Sequence, residues 1–282
     1  MANALLREPL RSTAADELYA LLATDSLSDR ASSPSALSPA RAADCTKDLR
    51  RTAVFLRGLH DAIRSFDTTV EVLYAGTGPL APLALPLMAL LDNVRFTLVD
   101  IHTESTEHLR SLIACFGFEP LVREIVTADA TRYEPTVAPH VAITETMRRS
   151  LEAEPQVAVT RQLARVLRPE GILLPERITL ALEVADRNAT MRWLDGGPLP
   201  QRQHVATLLQ LTRESDTFPP VTVTLPEGVA MLTTSIDVYR KHRLHNLDSG
   251  LTTPEVLWNV HADETITFRY EEGPSPRMRA LS

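Results

Sequence analysis

Two glycines and a carboxylate are the residues most able to do chemistry in this sequence. Gly76 and Gly78 close the apolar run Val70-Glu-Val-Leu-Tyr-Ala75, and Asp100 stands at the end of the next one, Phe96-Thr-Leu-Val-Asp-Ile101. A turn built on Gly-X-Gly lets the backbone come close to a ligand, because no Cβ obstructs it. Asp100 follows Gly78 by about one βαβ unit, the spacing at which a carboxylate reaches the hydroxyls of a bound ribose. The combination implies a nucleoside-containing cofactor. A dinucleotide site wants a third glycine, where a helix N-terminus meets a pyrophosphate. Here the run is Gly76-Thr-Gly78-Pro-Leu-Ala81, with Pro79 and Leu80 in the turn, which weakens the NAD reading.

The same turn resembles motif I of class I S-adenosyl-L-methionine-dependent methyltransferases, although Tyr74 stands where that motif commonly has an acid. Later segments are similar to the protein arginine methyltransferase-like branch of that superfamily. They are Thr144-Glu-Thr-Met147, a second acid at Glu154, and Leu167-Arg-Pro-Glu-Gly171-Ile-Leu-Leu-Pro175. Asp48-Leu-Arg-Arg-Thr52 is similar to the branch's Asp-X-X-Arg-Thr helix. The resemblance covers about residues 46–183. It implies a Rossmann-like α/β sheet followed by a β-rich, barrel- or sandwich-like part, with S-adenosyl-L-methionine as cofactor. By the same resemblance Arg51 pairs with the cofactor's carboxylate, Gly76 and Gly78 face its amino-acid arm, and Asp100 meets the ribose. Asp129, with Ala130 beside it, takes the adenine, and Glu145 and Glu154 are the catalytic acids, with Glu152 competing for the second place.

Two carboxylates at the floor of such a cleft would hold a cationic nitrogen and aim it at the activated methyl. One of them can also draw off the proton that blocks the lone pair. Blander roles exist for each acid. Asp is favoured in any strand-ending turn, and Glu152 and Glu154 precede Pro155 at a helix start, where the dipole favours acids. The branch's Thr-His-Trp motif is missing; Leu251-Thr-Thr-Pro254 with Trp258 is a loose substitute. Arg148 and Arg149 lie between the glutamates and suit a substrate carboxylate. These departures favour a small amine or amino-acid-like substrate. Attack at another sulfonium carbon, by aminocarboxypropyl transfer or cyclisation of the cofactor's own arm, would use the same motifs and release methylthioadenosine. A catalytically silent methyltransferase-like binding subunit is the reading from another class.

The elements that must position these residues follow from periodicity. Strands are expected at 70–75, 96–101, 122–127, 140–145 and 171–175, with helices at 44–66, 79–91, 104–116 and 155–167. Short alternating runs at 177–185, 221–225, 229–239 and 264–271 predict the β-rich part, interrupted by a helical segment near 198–213. The expected division is an N-terminal helical segment and linker over 1–45, a cofactor-binding domain over 46–183, and a β-rich substrate or dimerisation domain over 184–282. Helices are expected within 3–24, carrying Leu18, Leu21 and Leu22 on one stripe, and a loop over 25–44. Tyr19 and Phe66 could pack over the cofactor.

The formal net charge of −7 argues against a nucleic-acid partner. No apolar run reaches the roughly 18 residues of a membrane span, and the first residues carry no signal-peptide pattern. Cys45 and Cys115 have no metal-ligand spacing and read as free thiols of a reducing compartment. His242 and His245 are three apart, but a solvated basic edge explains them better than a metal. The expectation is a cytoplasmic enzyme without membrane or nucleic-acid partners, for which a homodimer is compatible.

Overall fold

The computed structural model describes residues 27–33 and 36–281. The stripe expected within 3–24 and Tyr19 lie outside them. A short helix α1 (Pro39–Asp44) and a 3-10 turn (Cys45–Lys47) lead into α2 (Leu49–Ile63), so residues 39–44 are helix and not part of the loop expected over 25–44. Asp48 breaks the long helix expected over 44–66, because its side chain caps α2 by accepting from the Arg51 N–H at 3.1 Å. The apolar face of α2 buries Val54, Phe55, Leu59 and Ile63, each contributing about 1.5–3 kcal/mol of transfer free energy.

Five strands then form a parallel sheet: β1 (Val70–Ala75), β2 (Val94–Asp100), β3 (Val122–Thr127), β4 (Val141–Thr144) and β5 (Ile172–Leu174), in the order β3-β2-β1-β4-β5. The chain winds outward from β1 through β2 to β3, then returns to the other side of β1. The order therefore switches between β1 and β4, and ligand crevices form beyond the strand ends at such a point. Helices α4 (Thr103–Phe116) and α5 (Gln156–Val166) take their expected places. The helix expected over 79–91 shrinks to α3 (Leu85–Leu90). Pro82 disfavours helical backbone at Ala81, which instead turns at φ 37°.

Beyond β5 the pairing becomes antiparallel. Strand β6 (Arg177–Ala185) lies between β7 (Arg202–Leu211) and β9 (Gly228–Tyr239), and β9 also pairs with β10 (His242–Leu244) and β11 (Glu255–Val260). A second sheet joins β8 (Val221–Thr224), β12 (Thr265–Glu271) and β13 (Arg277–Leu281). Leu182, Leu208, Leu232, Ile266 and Phe268 pack between the two. The helix expected near 198–213 is a correction: the segment is strand β7, because its full-length pairing with β6 overrides local propensity. The helix in this region is α6 (Arg187–Leu194), one position after β6. One hydrophobic core joins both parts, running from Phe55 and Phe96 to Ile178, Ile236, Val238 and Tyr270.

Candidate active site

A cavity of about 420 Å³ opens at the switch between β1 and β4. Arg51, Gly76, Gly78, Asp100, Asp129, Ala130, Glu145 and Glu154 all line it. These eight residues thus face one space. Glu152 does not line that space, and Phe66 packs edge-on to His140 outside it. The aromatic walls are Phe55 and Tyr74, on α2 and β1.

The glycine turn is tight for two reasons. Gly76 and Gly78 have φ of 78° and 58°, the left-handed region. A Cβ on Gly76 would stand 2.3 Å from Thr146 Cγ2, and one on Gly78 would stand 3.3 Å from the Ala42 Cβ of α1. Gly76 therefore serves the close approach of the β1 and β4 turns, beyond any service to a ligand. Between them Thr77 is buried, its hydroxyl has no partner among the described residues, and it also lines the cavity.

Asp100 is 7% exposed and accepts from two backbone N–H groups, Gly78 at 2.8 Å and His102 at 2.9 Å. Burial raises its pKa, and those two bonds oppose the rise. The carboxylate so placed ties the end of β2 to the glycine turn and still has acceptor sites left. His102 extends this anchoring outward: its Nε2 lies 2.7 Å from the Leu37 carbonyl oxygen and its Nδ1 2.6 Å from Ser32 Oγ. Ser32 and Leu37 are thereby tied to the end of β2, next to Ser33, Ala36 and Leu37 in the cavity wall. A loop reading of this stretch misses that role, because nothing in its composition marks a binding wall. Asp129 accepts from the Thr131 N–H and hydroxyl and pairs with Arg132 at 3.1 Å. Burial works against its charge, but the Thr131 and Arg132 bonds prevail and lower its pKa.

The acids after β4 are differently placed. Glu145 accepts from Arg51 at 3.3 Å, in a pair whose side chains are 16% and 9% exposed. Arg51 also donates to the Cys45 carbonyl oxygen. Glu154 is 8% exposed, and its Oε1 has no partner among the described residues. Burial pushes both carboxyls up to about 7, against the pull of Arg51 on Glu145 and of Arg148 on Glu154. Burial also raises the Tyr74 phenol, with Glu145 adding to it, so this ring is a neutral neighbour.

The expected stand-in for Thr-His-Trp divides in two. The 3-10 turn Gly250–Thr252 lies beside the start of α2, where Asp48 accepts from Ser249 Oγ at 2.7 Å and from the Gly250 N–H at 3.2 Å. Trp258 stacks on Phe268 in the β-rich core, away from the cavity. His242 Nε2 donates to the Asp61 carboxylate at 2.7 Å, and no metal-holding cluster of His, Cys, Asp and Glu occurs among the described residues. Among those residues, no helix is long and apolar enough to cross a membrane.

No family model matches the chain. No curated protein matches it by sequence. The fold is similar to that of the Trypanosoma brucei PRMT1 enzyme–prozyme heterotetrameric complex with AdoHcy, with a TM-score of 0.58 and 13% identity. The alignment covers 80% of this chain and 86% of that one. The architecture is thus a Rossmann-like parallel sheet followed by a C-terminal β-rich part, and at this identity the likeness is one of fold.

Proposed function

We propose that this chain is a methyltransferase that uses S-adenosyl-L-methionine to methylate a nitrogen of a small amine or amino-acid-like substrate. The observation that carries the reading is the cavity itself: the buried Glu154 carboxyl and the half-buried Glu145 carboxyl, both pushed up to about 7, share it with the glycine turn, Asp100 and Asp129. The AdoHcy held by the structural neighbour supports the choice of cofactor. So do the unpartnered Thr77 hydroxyl and Glu154 Oε1, which leave polar capacity for a ligand with both donors and acceptors.

In this reading Arg51 takes the cofactor's carboxylate, the Gly76–Gly78 turn takes the amino-acid arm, Asp100 the ribose and Asp129 with Ala130 the adenine. The cofactor supplies a methyl group on a sulfonium. Glu145 and Glu154 hold the acceptor nitrogen in line with it, so most of the acceleration comes from positioning. A carboxyl that titrates near 7 is half-ionised at neutral pH, and it can accept the proton the nitrogen must lose. Arg148 is exposed on the loop between the two acids and suits an anionic group on the acceptor. A homodimer in the cytoplasm is the accompanying expectation.

The test is calorimetric titration with S-adenosyl-L-methionine, followed by mass spectrometry of turnover with pooled small amines and arginine peptides. Binding, S-adenosylhomocysteine and a small product heavier by one methylene support the reading. Methylation of the arginine peptides alone would move the substrate to protein. Methylthioadenosine above the enzyme-free control would move the reaction to the cofactor's amino-acid arm, and absence of binding would leave a silent subunit.

A further inference from the structure

The loop that delivers Glu154 is held in an unfavourable shape. Ser150, Leu151 and Ala153 have φ of 60°, 55° and 64°. Left-handed backbone costs a non-glycine residue about 1–2 kcal/mol, so such a run persists only where its surroundings impose it. The groups that impose it come from the β-rich part. The Tyr270 hydroxyl donates to the Leu151 carbonyl at 2.8 Å, the Ser150 N–H donates to Thr234 Oγ1 at 3.1 Å, and the Ala153 N–H donates to the Pro276 carbonyl at 2.8 Å.

Tyr270 and Pro276 flank the tip of the β12–β13 hairpin, and Gly273 at that tip lines the cavity. Arg161 of α5 grips the tip through Glu272, with one guanidinium nitrogen at 3.0 Å. Tyr270 is 7% exposed, and its hydroxyl has one carbonyl to meet. The distant hairpin thus reaches the acid through a single turn of chain.

We propose that Tyr270 is a positioning residue for the acceptor site. Its hydroxyl, acting through Leu151 and seconded by Thr234, holds the Ser150–Ala153 turn in the shape that buries the Glu154 carboxyl in the cavity. The inference rests on the proposed function only for the purpose of that carboxyl, because the geometry stands without it. The charged and titratable groups that act on Glu154 or feel it are Arg148 of its own loop, Arg51 of α2, Arg41 of α1, Glu145 after β4 and Cys45.

Carboxyl ¹³C resonances of the full chain, labelled at glutamate Cδ, test it. Glu145→Gln and Glu154→Gln assign the two signals, and each is followed from acid to alkaline pH. In the parent the Glu154 midpoint is expected near 7. Tyr270→Phe deletes one hydroxyl and is expected to drop that midpoint by about one unit as water reaches the carboxylate. Glu145 is expected to keep its midpoint, and affinity for S-adenosyl-L-methionine to stay within about twofold, a change of about 0.4 kcal/mol. Thr234→Val is expected to move Glu154 in the same direction, and Thr234→Ser, which keeps the acceptor oxygen, to restore the parent value. A folded Tyr270→Phe protein with an unmoved Glu154, or with both glutamates shifted alike, overturns the proposal. If Tyr270→Phe does not fold, equal midpoints in Thr234→Val and Thr234→Ser overturn it. No cofactor or acceptor enters the titration, so a failure to bind S-adenosyl-L-methionine would sink the proposed function and leave this result readable.

Discussion

The two halves of the cavity are built on opposite principles. On the cofactor side, Asp100 is satisfied by backbone N–H groups and Asp129 by Thr131 and Arg132. These acids hold their own turns in place before any ligand arrives. On the proposed acceptor side, Glu145 pairs with Arg51, Glu154 Oε1 has no partner among the described residues, and the loop between them is strained. Burying an ionisable group without partners opposes folding. In the proposed function a ligand completes that arrangement, so the proposed acceptor half would carry the specificity and the proposed cofactor half the scaffold.

Substitutions can break this contrast. The largest effect is expected at the acids. Glu154→Gln and Glu145→Gln should each lower kcat by about 10³-fold, the middle of the range for a lost acid–base group. S-adenosyl-L-methionine affinity should change little in Glu154→Gln and more in Glu145→Gln, whose loss frees Arg51. Turnover by mass spectrometry and binding by calorimetry separate the two. A kcat loss confined to Glu145 would remove Glu154 from the acceptor site.

The scaffold side should respond in stability instead. Gly76→Ala forces a Cβ against Thr146 Cγ2 at 2.3 Å on a backbone of φ 78°. Overpacking and left-handed strain together should cost about 3 kcal/mol, read from urea midpoints. Adding Thr146→Ser removes the clashing methyl and should recover roughly half, the share due to overpacking. No recovery would mean that backbone strain alone restricts this position to glycine.

How much of this was legible in the sequence follows the same division. Strands β1, β3 and β6 lie where periodicity puts them, because an alternating or continuous apolar run answers to one sheet environment. On the proposed cofactor side, Gly76 and Gly78 were legible as one local turn and Asp100 as the end of the next strand, β2. On the acceptor side, the similarity to a known motif pointed to Glu145 and Glu154, but the props were hidden. Tyr270 and Thr234 are far from the loop in sequence, and a tyrosine in an alternating strand looks like core. Strand β7 was misread as helix for a related reason: its pairing with β6 is a tertiary fact. The wall residues Ser33, Ala36 and Leu37 lie beside contacts of His102 to Ser32 and Leu37 that no local pattern announces.

Acid and base should act on the two halves with different strength. Glu154 is raised from 4.5 to about 7 by burial. The folded state then holds a proton that the unfolded chain has lost, so stability falls as pH rises from about 4.5 to about 7 and levels off above. A shift of that size corresponds to roughly 3–4 kcal/mol. Glu145 adds in the same direction. Urea denaturation of the ligand-free protein should therefore show lower stability at pH 8 than at pH 5 from these groups, and Glu154→Gln should flatten the decline. An unchanged slope in that variant would mean that Glu154 is solvated and the acceptor half is not strained in the way described.

The smallest expected effect sharpens the cofactor side. Asp129 is lowered in pKa and partly exposed, and its pair with Arg132 is open to solvent. Arg132→Ala should change stability by no more than about 0.5 kcal/mol, as exposed ion pairs do. Asp129→Ala also removes the acceptor for Thr131 and the proposed partner of the adenine amino group. Its expected cost is about fivefold in S-adenosyl-L-methionine affinity, near 1 kcal/mol for one hydrogen bond. Measuring both variants by calorimetry separates two roles that share one carboxylate. If Arg132→Ala weakens binding as much as Asp129→Ala, the arginine positions the acid, and the cofactor half depends on a surface pair after all. If only Asp129→Ala does, the Thr131 turn suffices, and the rim of the site tolerates change that its acceptor floor does not.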